Sequence, residues 1–539
     1  MHGLTLDRKQ MEQERLARVA ARNNKRERSI SPPAIRTKPS LVTSSSSVAQ
    51  QKPINDDPAL KYPNGVVRKT WAFGHDRVND IKIEEVLEPL TLKIAVLSAF
   101  KWDTEWVLSK LKTPPKGGNT KCVFVMEAKE RELRQQILSD IEEQSSWLRV
   151  CFPPMNGAFC MHSKLMLLFH PTKLRIAIPT ANLLNFDWGE TGQMENSVFM
   201  IDLPRLSQPE GQDLADVTSF AKELLHFVKK QGISDDVQKG LLKFDFSATA
   251  NIAFVHSIGG SSLGEDAART GLAGLSQAVR SLRLTTSKDL ELDFAASSIG
   301  SLKEDYLRTF HAAARGEDLI LAQSTASSKA KASFFKKTTD KSRVDDNVRI
   351  KDKLRIYFPT KNTVESSRAG AAGTICLQRA WFEAATFPSE IFRDYVSTRS
   401  GILSHSKIMC ARGVSDNPTT NKINSGVAWV YVGSANMSMS AWGTVAKDSK
   451  GKVSCRNWEC GILLPAMVPR TMDSTTTEPT EEQSDKKQIL QSSAKLPADV
   501  AVAASIPDMD VFKGVIDLPF VVPGSPYNGR EPWYFMETR

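Results

Sequence analysis

The chain has no C-x-x-C pair among its seven cysteines, and the count is odd. That excludes a paired disulfide framework and the common thiolate zinc sites. The scatter of Cys122, Cys151, Cys160, Cys376, Cys410, Cys455 and Cys460 predicts buried free thiols in a reducing compartment. No apolar run approaches the ~20 residues that a membrane helix needs. The opening Met1-His2-Gly3 leads into no apolar signal segment. The expectation is an intracellular protein with no membrane partner. Histidines are few, eight in the whole chain, and no group of His or Asp has metal-ligand spacing. No metal and no other cofactor is expected.

What is present begins with size and charge. The 539 residues are 41% hydrophobic, enough for more than one core. A net charge of +10 favours a polyanionic partner, either nucleic acid or an anionic membrane surface. Residues 1–65 read as a disordered basic arm, with Asn24-Lys25-Arg26-Glu27-Arg28, then Ser29 to Pro33, then Ser44 to Ser47. Too few apolar side chains lie there to offset the entropy of ordering. The basic cluster is a candidate nuclear signal, weighed evenly against a solvated tail, and the nucleus is the expected compartment.

From about Val67 the pattern becomes globular. Leu92 to Leu97, Cys122 to Met126 and Leu148 to Phe152 read as buried strands, and Glu130 to Ser146 as an amphipathic helix. Strands alternating with helices predict an α/β fold with a mixed sheet. Ser324 to Lys341 and Met472 to Lys487 read as flexible insertions. The aromatic tail, with Tyr527, Trp533 and Tyr534, is expected to pack back on the fold.

The informative feature is a repeat. The first copy runs His162-Ser163-Lys164, an apolar stretch, Thr180-Ala181-Asn182-Leu183, then Trp188-Gly189. The second runs His405-Ser406-Lys407, an apolar stretch, Ser434-Ala435-Asn436-Met437, then Trp442-Gly443. The step from Asn to Trp-Gly is the same in both. The step from Lys to Asn is longer in the second copy, where Arg412 to Gly426 reads as an inserted polar loop. Carboxylates follow later, Glu195 in the first copy and Glu459 in the second. On a strand, residues i and i+2 share a face, so each His should project with its Lys. Asn182 and Asn436 fall at the ends of the strands that follow. A single His two residues before a Lys carries no information; the paired blocks do. The other six histidines read as structural, and Trp188 and Trp442 as core anchors.

At these residues the chain resembles the phospholipase D superfamily, in which two H-x-K motifs form one active site at a pseudo-twofold interface. The usual H-x-K-x4-D form is broken, because Phe169 and Arg412 stand where the Asp would be. That pattern resembles the tyrosyl-DNA phosphodiesterase branch. Ser297-Ser298-Ile299-Gly300-Ser301-Leu302 is similar to that family's DNA-contacting segment, and the resemblance runs from about residue 70 to the C-terminus. It implies two pseudo-symmetric phospholipase D-like lobes, at 66–255 and 256–539, each a mixed β-sheet flanked by helices.

The resemblance also implies a metal-independent reaction on single-stranded or nicked DNA 3′ ends that carry a topoisomerase-derived peptide, performed by a monomer. His162 would be the nucleophile, and His405 the acid and then the base. Lys164, Lys407, Asn182 and Asn436 would hold the phosphate oxygens. Glu459 would orient His405 or His162. The first-half polar partner would be Asn196, judged by the following Ser197-Val198-Phe199, or Glu195, judged by the repeat; Asn196 is preferred. Ser298, Ser301 and Ser438 would bind DNA phosphates. By symmetry alone the two histidines could exchange roles. A lipid phosphodiesterase of the same superfamily and a non-catalytic DNA-end binder are the competing readings.

Overall fold

A computed structural model describes residues 60–535, apart from 156–158, 209, 322–349, 371–373, 417–425, 447–450 and 467–505. Most of the basic arm and both expected insertions lie outside the described residues.

The strands of the first half are β1 (Val66–Thr70), β2 (Asp80–Ile81), β3 (Ile94–Ser98), β4 (Lys121–Val125), β5 (Leu148–Cys151), β6 (Cys160–Met161), β7 (Leu165–Phe169), β8 (Lys173–Pro179), β9 (Met194–Glu195) and β10 (Ser197–Pro204). Those that follow are β11 (Ala253–Ser257), β12 (Gly260–Ser262), β13 (Leu290–Ala295), β14 (Leu354–Phe358), β15 (Phe392–Asp394), β16 (Leu403–Ser404), β17 (Ile408–Val414), β18 (Gly426–Gly433), β19 (Thr444–Val445), β20 (Val453–Cys455) and β21 (Asn457–Pro465).

The first sheet has the order β2-β1-β10-β8-β7-β3-β4-β5, and the second β11-β21-β18-β17-β13-β14-β15. Leaving aside β2, the two orders match strand for strand. Their directions match too: antiparallel up to β3 and β13, then parallel through β4–β5 and β14–β15. The repeat read in the sequence is thus a repeat of sheet topology, and the fold is mixed α/β in two lobes.

The motif strands are nearly continuous apolar runs, as strands buried on both faces must be. Leu167, Ile176 and Ile201 of the first sheet share one core with Val430, Val432 and Ile462 of the second. The helix Ser219–Lys230 adds Phe220, Leu224 and Phe227 to it. The outer face of each sheet carries its own cluster. The two sheets therefore pack through a common interior, which fixes the relation between the H-x-K segments. Trp188 and Trp442 are buried. So are Tyr527, Trp533 and Tyr534 of the C-terminal segment, which closes over the second lobe as expected.

Three local expectations are corrected. The helix expected over Glu130 to Ser146 spans only Arg131–Asp140, then tightens into a short 3-10 turn. None of its residues is buried, so nothing packs on it to extend it. Arg412 does not open a loop: β17 continues to Val414, with the guanidinium held by Glu291 and Asp293. The H-x-K triplets are not in strands. Each sits between a two-residue strand and a long one. Among the described residues no helix is long and apolar enough to cross a membrane.

Candidate active site

Each H-x-K segment is gripped by the opposite half. Cys160 and Met161 pair in parallel with Asn457 and Trp458. Leu403 and Ser404 pair in parallel with Met194 and Glu195. The ladders end on the histidines. His162 N–H donates to the Trp458 carbonyl and His405 N–H to the Glu195 carbonyl, both at 3.0 Å. Backbone bonds that cross the lobes thus set the position of each imidazole.

The side chains cross as well. Glu459 Oε2 lies 2.8 Å from His162 Nδ1. That carboxylate also accepts from Ser434 Oγ at 2.5 Å and from Asn457 Nδ2 at 2.8 Å. A proton held on Nδ1 leaves the lone pair on Nε2, the tautomer a nucleophile needs. The His162 ring also packs against Phe100, with centroids 5.2 Å apart. On the other side the carboxylate is Asp187, whose Oδ2 lies 3.5 Å from His405 Nδ1. Asp187 also accepts the Asn182 backbone N–H at 2.8 Å.

Asp187 was not among the expected site residues. It sits five residues after Asn182, where the second copy has Ala441, so comparing the copies hides it. Burial and the His405 ring are the signals that find it.

The alternatives for the first-half polar partner can now be placed. Pro179 pairs with Val198, and Gly433 pairs with Gly461. Two residues back, Asn196 is the counterpart of Glu459, so the repeat itself points to Asn196 and not to Glu195. The hydrogen bonds agree. Thr180 Oγ1 donates to Asn196 Oδ1 at 2.8 Å, as Ser434 does to Glu459. Yet no hydrogen bond joins Asn196 to the His405 ring. Its amide donates to the Asp187 carbonyl at 2.7 Å and so braces the carboxylate-bearing loop. The Glu195 carboxylate faces Ser397 and Arg399.

Both lysines are fully buried. Lys164 Nζ donates to the His162 carbonyl at 2.9 Å, and Lys407 Nζ to that of His405. Burial pulls the Lys164 ammonium down to about 8, against the opposing pull of Glu459. Burial, then repulsion from Lys164, pulls Lys407 well below the ordinary lysine range. Burial, then the Lys407 charge, lowers His405 to about 4. Burial pushes the Glu459 carboxyl up to about 7, with Lys164 opposing. Burial would push Asp187 up too, but its pairing with His405 outweighs that and holds it below the usual carboxylate range. The groups feel one another's charge across the lobe boundary, as members of one cluster do.

The asparagines are held in matching ways. Lys101 N–H, in the loop after β3, donates to Asn182 Oδ1 at 3.3 Å. Ser298 N–H, in the loop after β13, donates to Asn436 Oδ1 at 3.0 Å, and Ser297 Oγ does so at 3.3 Å. With Oδ1 engaged, each amide presents Nδ2 as a donor. The segment Ser297 to Ser301 also packs on Met437 and Ser438. A Cβ on Gly300 would come 2.8 Å from Ser438 Cβ, so glycine is needed there. Ser298 and Ser438 are thus neighbours of Asn436, Ser301 follows Gly300 in the same segment, and all three are partly exposed. Two buried cations, two amide donors and two imidazole–carboxylate pairs can hold a phosphate and move protons on either side of it.

The chain is similar to known proteins. Residues 66–528 match the model of the tyrosyl-DNA phosphodiesterase family. Tyrosyl-DNA phosphodiesterase 1 of Arabidopsis thaliana is 23% identical over 474 residues, covering 84% of this chain and 71% of that protein. The crystal structure of the yeast tyrosyl-DNA phosphodiesterase superposes with a TM-score of 0.50 at 16% identity, covering 74% of this chain and 90% of that one. A mutant of the yeast enzyme gives 0.51 at 18%, over 75% and 90%. The structures support the fold, and the family match spans most of the chain, including both H-x-K blocks. This chain belongs to the tyrosyl-DNA phosphodiesterase family.

Proposed function

We propose that this DNA-repair phosphodiesterase works in two steps through His162, on single-stranded or nicked 3′ ends that carry a topoisomerase-derived peptide. The observation that carries the reading is the crossed pair of imidazole–carboxylate contacts around two buried lysines.

In the first step the Nε2 lone pair of His162 forms a bond to phosphorus. The P–O bond to tyrosine breaks, and its electron pair leaves on the phenolate oxygen, which takes a proton from His405. In the second step His405 draws a proton from water, and the water oxygen attacks phosphorus. The P–N bond breaks, its electrons return to His162, and a 3′-phosphate is left. Lys164, Lys407, Asn182 and Asn436 hold the nonbridging oxygens throughout. Burial, and after it the lysine field, lowers His405. A phosphodiester between the lysines cancels part of that field and lifts the ring toward the acid that step one needs.

Glu459 fixes the tautomer of the nucleophile. Asp187 does the same for His405. Ser298, Ser301 and Ser438 hold DNA phosphates beside Asn436, and binding weakens steeply with salt. The protein acts as a monomer in the nucleus, with no metal or other cofactor.

The test is turnover of a 3′-phosphotyrosyl oligonucleotide in excess EDTA by wild type, His162→Ala and His405→Ala. Wild type keeps its rate, His162→Ala is dead, and His405→Ala traps a covalent protein–DNA adduct. Loss of wild-type turnover on chelation would sink the mechanism.

A further inference from the structure

We propose that Glu195 is a positioning residue, a buried carboxylate that clasps the segment Ser397 to His405 and so holds His405 for hydrolysis of the covalent intermediate. This rests on the two-step reading above.

The argument starts from the two cross-lobe ladders. In each, one residue offers the backbone carbonyl that holds a catalytic histidine: Trp458 for His162, Glu195 for His405. They are counterparts, each one residue ahead of the matched pair Glu459 and Asn196. Their side chains could hardly differ more. Trp458 is buried, donates its indole N–H to the Pro154 carbonyl and packs on Phe227. Glu195 is equally buried but is an acid. Burying a carboxylate is costly unless it is paired and hydrogen-bonded. The first ladder shows that the backbone task does not need one.

The contacts of Glu195 show what the acid does. Ser397 Oγ donates to Oε1 at 2.5 Å. Arg399 Nη1 lies 3.4 Å from Oε2 and donates to the Thr70 carbonyl at 2.7 Å. Arg399 Nη2 donates to Asp80 Oδ2 at 3.0 Å. The Arg399 backbone N–H donates to Ser397 Oγ at 3.0 Å, which closes the knot. A turn follows through Gly401, where φ is +74°. The chain then enters β16, where Leu403 N–H meets the Gln193 carbonyl and His405 N–H that of Glu195. One first-lobe residue therefore holds this segment at both ends, by its side chain at Ser397 and by its backbone at His405.

His405 needs such a hold more than His162 does. Its carboxylate partner is 3.5 Å away, against 2.8 Å for the other pair. The second step also leans harder on His405 than the first. A tyrosine phenol has a pKa of about 10, so it leaves with modest help. Water, near 15.7, must be deprotonated as it attacks. Loosening His405 should therefore slow release of the adduct before it slows its formation.

Glu195→Leu, Glu195→Gln and Ser397→Ala test this in single-turnover reactions with the 3′-phosphotyrosyl oligonucleotide. Tyrosine release reports the first step, and adduct on a denaturing gel reports the second. In Glu195→Leu, adduct hydrolysis is expected to slow roughly tenfold, the scale of a small misplacement of a catalytic group. Tyrosine release stays near wild type, so adduct accumulates. Glu195→Gln recovers part of the rate, because its amide oxygen still accepts from Ser397, and Ser397→Ala falls between. Ser397→Ala also carries the test if Glu195→Leu melts early. An equal fall in both steps, no change in either, or identical Leu and Gln variants would overturn the proposal. His405→Asn runs alongside. If it traps adduct and the Glu195 variants do not, the clasp alone is wrong. If it traps none, the two-step reading falls with it.

Discussion

The two halves of the site share a topology but hold their histidines differently. At His162 the carboxylate is on a strand, at 2.8 Å, with Ser434 and Asn457 fixing both of its oxygens. At His405 it is on a loop, at 3.5 Å, and the position matching Glu459 carries Asn196, between β9 and β10. A group that must aim one lone pair at phosphorus gains from rigidity. A group that passes protons to two different oxygens has a longer contact to its carboxylate and depends on other contacts for its position. The asymmetry agrees with the proposed roles, in which His162 is the nucleophile.

Exchanging the carboxylates for amides tests that comparison most sharply. Glu459→Gln removes the acceptor that sets the His162 tautomer, so kcat should fall by roughly 10²–10⁴ with little adduct formed, the range general for such groups. Asp187→Asn acts on the looser side and should cost about tenfold, mostly in adduct hydrolysis. Single-turnover rates of the two steps separate the cases. Equal losses in both variants would erase the distinction.

A smaller effect lies in the pH profile. In the proposed mechanism Lys164 is charged when it grips the phosphate, and burial has drawn it down to about 8. Since kcat/KM reports the free enzyme, it should decline as pH rises through about 8, well before an ordinary lysine would titrate. A profile flat to pH 10 would show that the buried ammonium is not needed.

The smallest effect is on stability. Burial pushes Glu195 up to about 7, opposed by Ser397 and Arg399. The folded protein then holds that proton more tightly than the unfolded chain does, so its stability falls as pH rises from the ordinary carboxylate range toward 7. Glu195→Gln should flatten that slope, by about 1–2 °C in Tm between pH 5 and 7.

Much of this was legible in the linear chain. The strands Ile94–Ser98 and Lys121–Val125 fell where apolar runs placed them, because a strand buried on both faces needs an unbroken run. The exposed helix after β4 was read too long, since periodicity reports a face even where nothing packs on it. The placing of Asp187 beside His405 could not be read, because it breaks the repeat. Glu195 could be singled out, but as the wrong thing. Its backbone serves His405 and its side chain serves a segment two hundred residues away.

The order of residues by itself determined that two H-x-K blocks exist, that each precedes a buried strand, and that an amide follows each. Local spacing and hydrophobicity suffice for that. Which carboxylate meets which imidazole, and which half lends its backbone to the other, was settled only when two sheets met through a common core. Such contacts join positions as far apart as His162 and Glu459, and no local propensity carries information across that distance.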